Sequence, residues 1–194
     1  MNAQLRKLMV LLVAVCLGLA AVPARALAVG EAGTFYVTPE FGLYGTGQKQ
    51  VNSILTFGAS GGYFVMDGLS LGAEALAYSF DQKRSGSSLH SDYTQNPWAF
   101  GANALIRYYP VRTDKAAFFI GTGIGGIFSS DRIPYYTNGG KGNSSNPTVP
   151  VDLGFSVNLS QSVAFELAGR YQRIGFDNHG LDAFGGHAGI RINF

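Results

Sequence analysis

Every charged side chain in the strand-like stretches of this chain stands on one face, and the other face carries none. The strand signal is period-two alternation, which puts residues i and i+2 on the same side of a strand. Eight such stretches follow one another. The first sets Phe35, Val37, Phe41 and Leu43 against Tyr36, Thr38, Glu40 and Gly42. The second groups Leu55, Phe57, Ala59, Tyr63 and Val65. The third sets Leu69, Leu71, Ala73, Ala75 and Ala77 against Ser70, Gly72, Glu74 and Tyr78. The fourth has Phe100, Ala102, Ala104, Ile106 and Tyr108 against Gly101, Asn103, Leu105 and Arg107. The fifth has Phe118, Ile120, Thr122, Ile124 and Phe128 against Gly121, Gly123 and Gly125. The sixth to eighth place Asp152, Glu166, Arg170 and Arg191 opposite Leu153, Phe155, Leu167 and Ile190.

Two folds satisfy this pattern: a soluble barrel with a dry core, or a membrane barrel with its greasy face in lipid. Glycine separates them. The charged face also carries Gly42, Gly72, Gly101, Gly121, Gly123, Gly125, Gly154, Gly185 and Gly189. An eight-stranded lumen is just wide enough to be filled by side chains, so long Arg and Glu groups there need small neighbours. A solvated outer face has no such need. The connections agree. Short turns at 66–69, 110–115 and 159–162 alternate with longer polar loops at 44–52, 81–97, 129–148 and 175–183. Outer-membrane barrels pair short periplasmic turns with long extracellular loops. The reading is therefore all-β: an eight-stranded antiparallel up-and-down transmembrane β-barrel.

The first residues belong to a different class. A basic "MNAQLRK" precedes the apolar "LMVLLVAVCLGLAAV" and then "PARALAVG", with small residues at Ala24, Ala26 and Ala28. The run is shorter than the roughly 20 residues of a spanning helix. It reads as a secretory signal peptide over 1–28, cleaved after Ala28 (or Ala26), with the barrel occupying 29–194. Removing Arg6, Lys7 and Arg25 takes the 14 basic residues to 11 against 12 acids. No basic stripe for nucleic acid survives. Cys16, the only cysteine, lies inside the signal, so the mature chain is expected to have no disulfide or thiol chemistry.

The chain ends on "HAGIRINF", in mid-strand, on an aromatic residue. A closed barrel in lipid has no free edge, so the last strand is expected to pair with the first. Phe194 then sits in a periplasmic aromatic girdle with Phe35, Tyr63, Tyr108, Phe118 and Phe165. Trp98, Phe100, Phe128 and Tyr171 fall near the opposite rim.

These features resemble the small eight-stranded outer-membrane proteins of Gram-negative bacteria, the OmpA- and OmpX-like barrels. The resemblance implies residence in the bacterial outer membrane, as a monomer among outer-membrane lipid and lipopolysaccharide. It also implies that Ile190, Ile192 and Phe194 form a C-terminal insertion signal read by the barrel-assembly machinery. A narrower similarity is to the lipid A 3-O-deacylase-related barrels. It rests on "SLGAEALAY", "LIRYYPVR", "SSDRIP" and "ELAGRYQRIGFDNHGLDAFGGHAGI". That family uses a segment like His-x-Ser-Asn-x-Gly-Leu. Here "GFDNHGL" matches it at Asn178, Gly180 and Leu181, but the His position is Gly175 and the Ser position is Asp177. A Ser–His hydrolase without its serine lacks that nucleophile. Asp177, His179 and Asp182 are the remaining catalytic candidates.

Other motifs carry less. "GTGIGG" (121–126) matches G-x-G-x-x-G, but no helix follows, so it reads as close packing inside the barrel rather than a dinucleotide site. His90, His179 and His187 are too scattered for a metal, and no cofactor motif appears. The candidate site is then a lumen charge network of Glu40, Glu74, Arg107, Asp152, Glu166, Arg170, His187 and Arg191. Expected pairs are Glu166 with Arg191, Asp152 with Arg170, and Glu40 with His187 across the closing seam. The functions that follow are a small barrel with a structural or surface-interaction role or, on the narrower resemblance, a lipid A-modifying ester hydrolase.

Overall fold

A computed structural model of the chain describes residues 30–48, 51–84, 93–95, 98–129, 144–175 and 180–194. The expected signal peptide lies outside the described residues. Nine strands lie among the described residues: β1 (Phe35–Thr46), β2 (Val51–Met66), β3 (Leu69–Arg84), β4 (Tyr93–Gln95), β5 (Trp98–Arg112), β6 (Ala116–Ser129), β7 (Ser144–Asn158), β8 (Val163–Ile174) and β9 (Leu181–Asn193). Eight of them form a closed antiparallel barrel. Consecutive strands pair, and β9 returns to β1. The short β4 only lengthens the β3 ladder beyond the barrel. Among the described residues no helix is long and apolar enough to cross a membrane, and the strands do the crossing.

Closure satisfies the backbone where no water can. The last residue is held in the seam: Phe194 N donates to Phe35 O at 2.9 Å. The stagger follows from the register. Stepping between partners from Phe118 through Phe155, Leu167, Ala188, Phe41, Phe57, Ala77 and Phe100 leads back to β6 at Phe128, ten residues further along. Such a shear tilts the strands by roughly 35–45° and leaves an interior about wide enough for side chains.

The faces are clear. β5 alternates exposed and buried residues without a break from Trp98 to Tyr109. Leu71, Ile106 and Phe155 are 49%, 41% and 45% exposed, while Glu74 and Arg170 are 3% and 2% exposed. These apolar side chains face outward and these ionised ones are enclosed. Phe35, Tyr63, Tyr108 and Phe118 are exposed around one rim, and Trp98, Phe100 and Phe128 toward the other. Phe165 and Tyr171 are half-buried. Phe184 joins the second group, with its ring 4.8 Å from that of Tyr171.

Three features depart from the sequence reading. The strands reach further than the loop assignments: β7 starts at Ser144, inside the expected 129–148 loop, and carries two prolines. The β6–β7 ladder skips the residues between Thr122 and Gly125, next to Pro150, and resumes in the same register. Pro150 lacks an N–H, but its carbonyl is satisfied by Thr122 Oγ1 at 3.0 Å. Second, the inward face is far less polar than expected. Tyr44, Ile54, Leu76, Tyr78, Phe80, Ile127, Ile174 and Leu181 form one buried apolar layer. Tyr36, Phe64, Tyr109 and Phe119 form another at the opposite end. Inward glycines make room for these rings: a Cβ at Gly101 would lie 2.7 Å from the Tyr78 ring, and one at Gly154 would lie 2.6 Å from that of Phe119. Third, the segment before β1 is tied down. Gly30 O accepts from Arg112 Nη1 at 2.9 Å and from Gly68 N at 2.8 Å. Gly68 sits in the tight 66–69 turn at φ +77°, a left-handed conformation that glycine adopts without a Cβ penalty.

Candidate functional site

Between the two apolar layers lies the ionic layer. Arg170 from β8 is its centre. Its Nε and Nη2 donate to Asp152 Oδ1 and Oδ2 on β7 at 2.6 and 2.9 Å. Its Nη1 and Nη2 donate to Glu74 Oε1 and Oε2 on β3 at 2.9 and 2.8 Å. One planar guanidinium thus makes two forks, a geometry that lysine cannot copy. Asn103 Nδ2 donates to Glu74 Oε1 at 2.7 Å, and Thr148 Oγ1 donates to Asn103 Oδ1. Asp152 and Arg170 are register partners on adjacent strands. Glu74 reaches Arg170 across the lumen, because β3 and β8 are not neighbours.

A second group lies nearer the periplasmic end. Arg191 on β9 reaches Glu166 on β8 at 2.9 Å and donates to Tyr109 Oη at 2.9 Å and Ser156 Oγ at 3.1 Å. Its guanidinium lies over the rings of Tyr36 and Tyr109, 5.6 and 5.3 Å from their centroids. Arg107 on β5 lies 3.5 Å from Glu166 and over the Phe119 ring. These contacts offset the desolvation that isolated buried charges would suffer.

The seam between β1 and β9 differs from expectation. Glu40 does not meet His187. The register sets Glu40 against Gly189 and Gly42 against His187, and His187 Nδ1 instead lies 3.3 Å from Tyr44 Oη. The stagger shifts the pair by two residues, so Glu40 has no ion-pair partner among the described residues. Asn103, Thr148, Ser156, Tyr44 and Tyr109 belong to the network but were not singled out in the sequence. Their only signal is an inward position beside a charge.

The last-loop candidates do not assemble. Asp177 and His179 lie outside the described residues. Asp182 is on the outer side of the wall near the loop end, where Tyr171 Oη donates to Oδ1 and Arg173 Nη1 to Oδ2, both at 2.6 Å. Both carboxylate oxygens are engaged. Arg173 Nε also donates to Gly175 O at 3.1 Å, so this cluster braces the start of the loop. Among the described residues no group of His, Cys, Asp and Glu could hold a metal ion.

The sequence of residues 14–194 matches the family described as the outer membrane protein beta-barrel domain. The chain belongs to this family. It is a protein of the bacterial outer membrane. Solved barrels share its fold. Neisserial surface protein A is 18% identical with a TM-score of 0.63, over 84% of this chain and 99% of that one. The N-terminal β-barrel domain of Pseudomonas aeruginosa OprF is 11% identical with a TM-score of 0.57, over 84% and 98%. OprG of the same organism is 16% identical with a TM-score of 0.57, over 84% and 97%. No curated protein matches the sequence.

Proposed function

We propose that this outer-membrane barrel is a rigid carrier with a structural or surface-interaction role, in which the loops facing the exterior do the work. The observation that carries this reading is the lumen. Arg107, Arg170 and Arg191 are 2% exposed or less and lie between two apolar layers. Charges packed and paired this way suit an internal scaffold rather than a path for ions, and eight strands leave little room for one. Loops on a rigid scaffold are where binding residues concentrate. The 130–143 connection, with Tyr135, Tyr136 and many turn formers, is the richest of them in sequence.

On this reading the barrel is a monomer, its outer wall is solvated by membrane lipid and lipopolysaccharide, and the outward Ile190 with Ile192 and Phe194 guides insertion by the barrel-assembly machinery. The ester hydrolysis implied by the second resemblance draws no support. The motif lacks its serine, and Asp182 is held by Tyr171 and Arg173.

The test compares the full chain with a variant whose 85–92 and 130–143 segments are cut to two-residue turns, both expressed in cells lacking the protein. Both are expected to insert, while only the full chain restores adhesion to surfaces. Equal restoration by the two assigns the role to the barrel wall. Stable ion conductance of the full chain in planar bilayers overturns the reading.

A further inference from the structure

The ladder of the closing seam has a gap. β1 and β9 pair at Tyr36–Asn193 and Val37–Ile192, skip Thr38 and Pro39, and resume at Glu40–Gly189 in the same register. Phe35 and Phe194 exchange both backbone hydrogen bonds, and such pairs recur at every second position of an antiparallel ladder. Continuing the register makes Pro39 and Ile190 one of these pairs. Pro39 has no N–H, so Ile190 O receives no donor from β1. Proline in the middle of a paired strand is uncommon for this reason.

The same defect occurs between β6 and β7, and there it is patched. Asn158 N donates to Lys115 O, and counting inward along that ladder sets Pro150 against Gly123, where the pairing skips. Thr122 Oγ1 donates to Pro150 O at 3.0 Å. A Cβ at Gly123 would lie 3.3 Å from Pro150 Cγ, so the proline ring covers the gap from the lumen. At Pro39 the side chains add no such patch. The skipped register sets Thr38 against Arg191 on the lumen side, yet Thr38 Oγ1 and Arg191 Nε have no partner among the described residues. Both residues are 1% exposed or less.

The seam is fastened at its ends instead. Phe35 and Phe194 close it at the periplasmic side. Toward the exterior, Tyr44 Oη lies 3.3 Å from His187 Nδ1, and Gln48 Nε2 donates to Gly180 O at 3.0 Å. Between these ends a missing rung coincides with unpaired lumen side chains. Local opening costs least where the fewest hydrogen bonds must break. We infer that the wall has a built-in opening line: β1 and β9 part locally around Pro39 and Ile190 while both ends of the seam stay closed. The patched gap at Pro150 stays shut.

Amide hydrogen exchange of the full chain in lipid nanodiscs, read residue by residue by NMR, tests this. The amides of Val37 and Ile192, which flank the Pro39 gap, are expected to exchange several-fold faster than those of Gly121 and Asp152, which flank the Pro150 gap in the same way. Pro39→Ala supplies the missing donor and is expected to slow Val37 and Ile192 several-fold, whereas Pro150→Ala leaves them unchanged. Equal rates at the two gaps in the wild type overturn the inference, and that comparison stands even where a variant fails to insert. Unchanged exchange at Val37 and Ile192 in Pro39→Ala, or equal slowing of them by Pro150→Ala, overturns it too.

Discussion

Arg170 and Arg107 are the same residue type, equally buried, in the same lumen, and they are held very differently. Arg170 is gripped by two carboxylates through four hydrogen bonds. Among the described residues Arg107 has one ion-pair contact, at 3.5 Å, and an aromatic ring beneath it. Burial alone therefore does not rank the two. What differs is how much of the desolvation cost the surroundings return. The upper group ties β3, β7 and β8 together across the lumen, whereas the lower group shares a single Glu166 between two arginines.

The comparison breaks most sharply at Arg170. Arg170→Met leaves Glu74 and Asp152 as uncompensated buried carboxylates, and a loss of about 3–5 kcal/mol is expected. Urea titration of the barrel in lipid vesicles, followed by tryptophan fluorescence, reads it. A loss below that of Arg107→Met would reverse the ranking.

The outer wall gives the next effect. Ala75 is exposed on the lipid-facing side of β3. Ala75→Arg is expected to cost about 2–4 kcal/mol near the bilayer midplane. Normal yield of the heat-modifiable folded form in outer membranes would mean that this face does not meet hydrocarbon.

A glycine pair contrasts the two faces on one strand. On the lumen side, a Cβ at Gly125 would lie 1.9 Å from Ala102 O; on the outer side, the nearest atom to a Cβ at Gly126 is 3.5 Å away. Overpacking at Gly125→Ala is expected to cost about 1–3 kcal/mol. Gly126→Ala should leave the same urea midpoint nearly unmoved, and equal losses would contradict the inward reading of Gly125.

The smallest effect is expected at Arg107. Its loss leaves Glu166 still paired with Arg191, so Arg107→Met should cost no more than about 1 kcal/mol, the worth of one ordinary hydrogen bond. The double variant with Arg170→Met should be close to additive, since the two arginines share no carboxylate partner.

Much of this was legible in advance, for a local reason. Glu74, Arg107, Asp152 and Arg170 are inward because parity along a strand fixes the face of every residue, whatever the rest of the fold does. Asp152 and Arg170 are adjacent because a four-residue turn sets the register of their hairpin. Glu40 and His187 failed as a pair because they lie across the seam between the first and last strands, where no turn sets the register.

The sequence by itself determined the strand class, the two faces and the membrane location, since alternation and the confinement of charge are properties of each strand alone. It could not determine who meets whom across the lumen. Glu74 meets Arg170 only because the closed barrel has a stagger of ten residues, which brings β3 and β8 to a common height. The apolar layers were hidden for the same reason. Phe64, Phe80 and Phe119 share a face with charges in sequence, and only closure stacks them above and below those charges as separate layers.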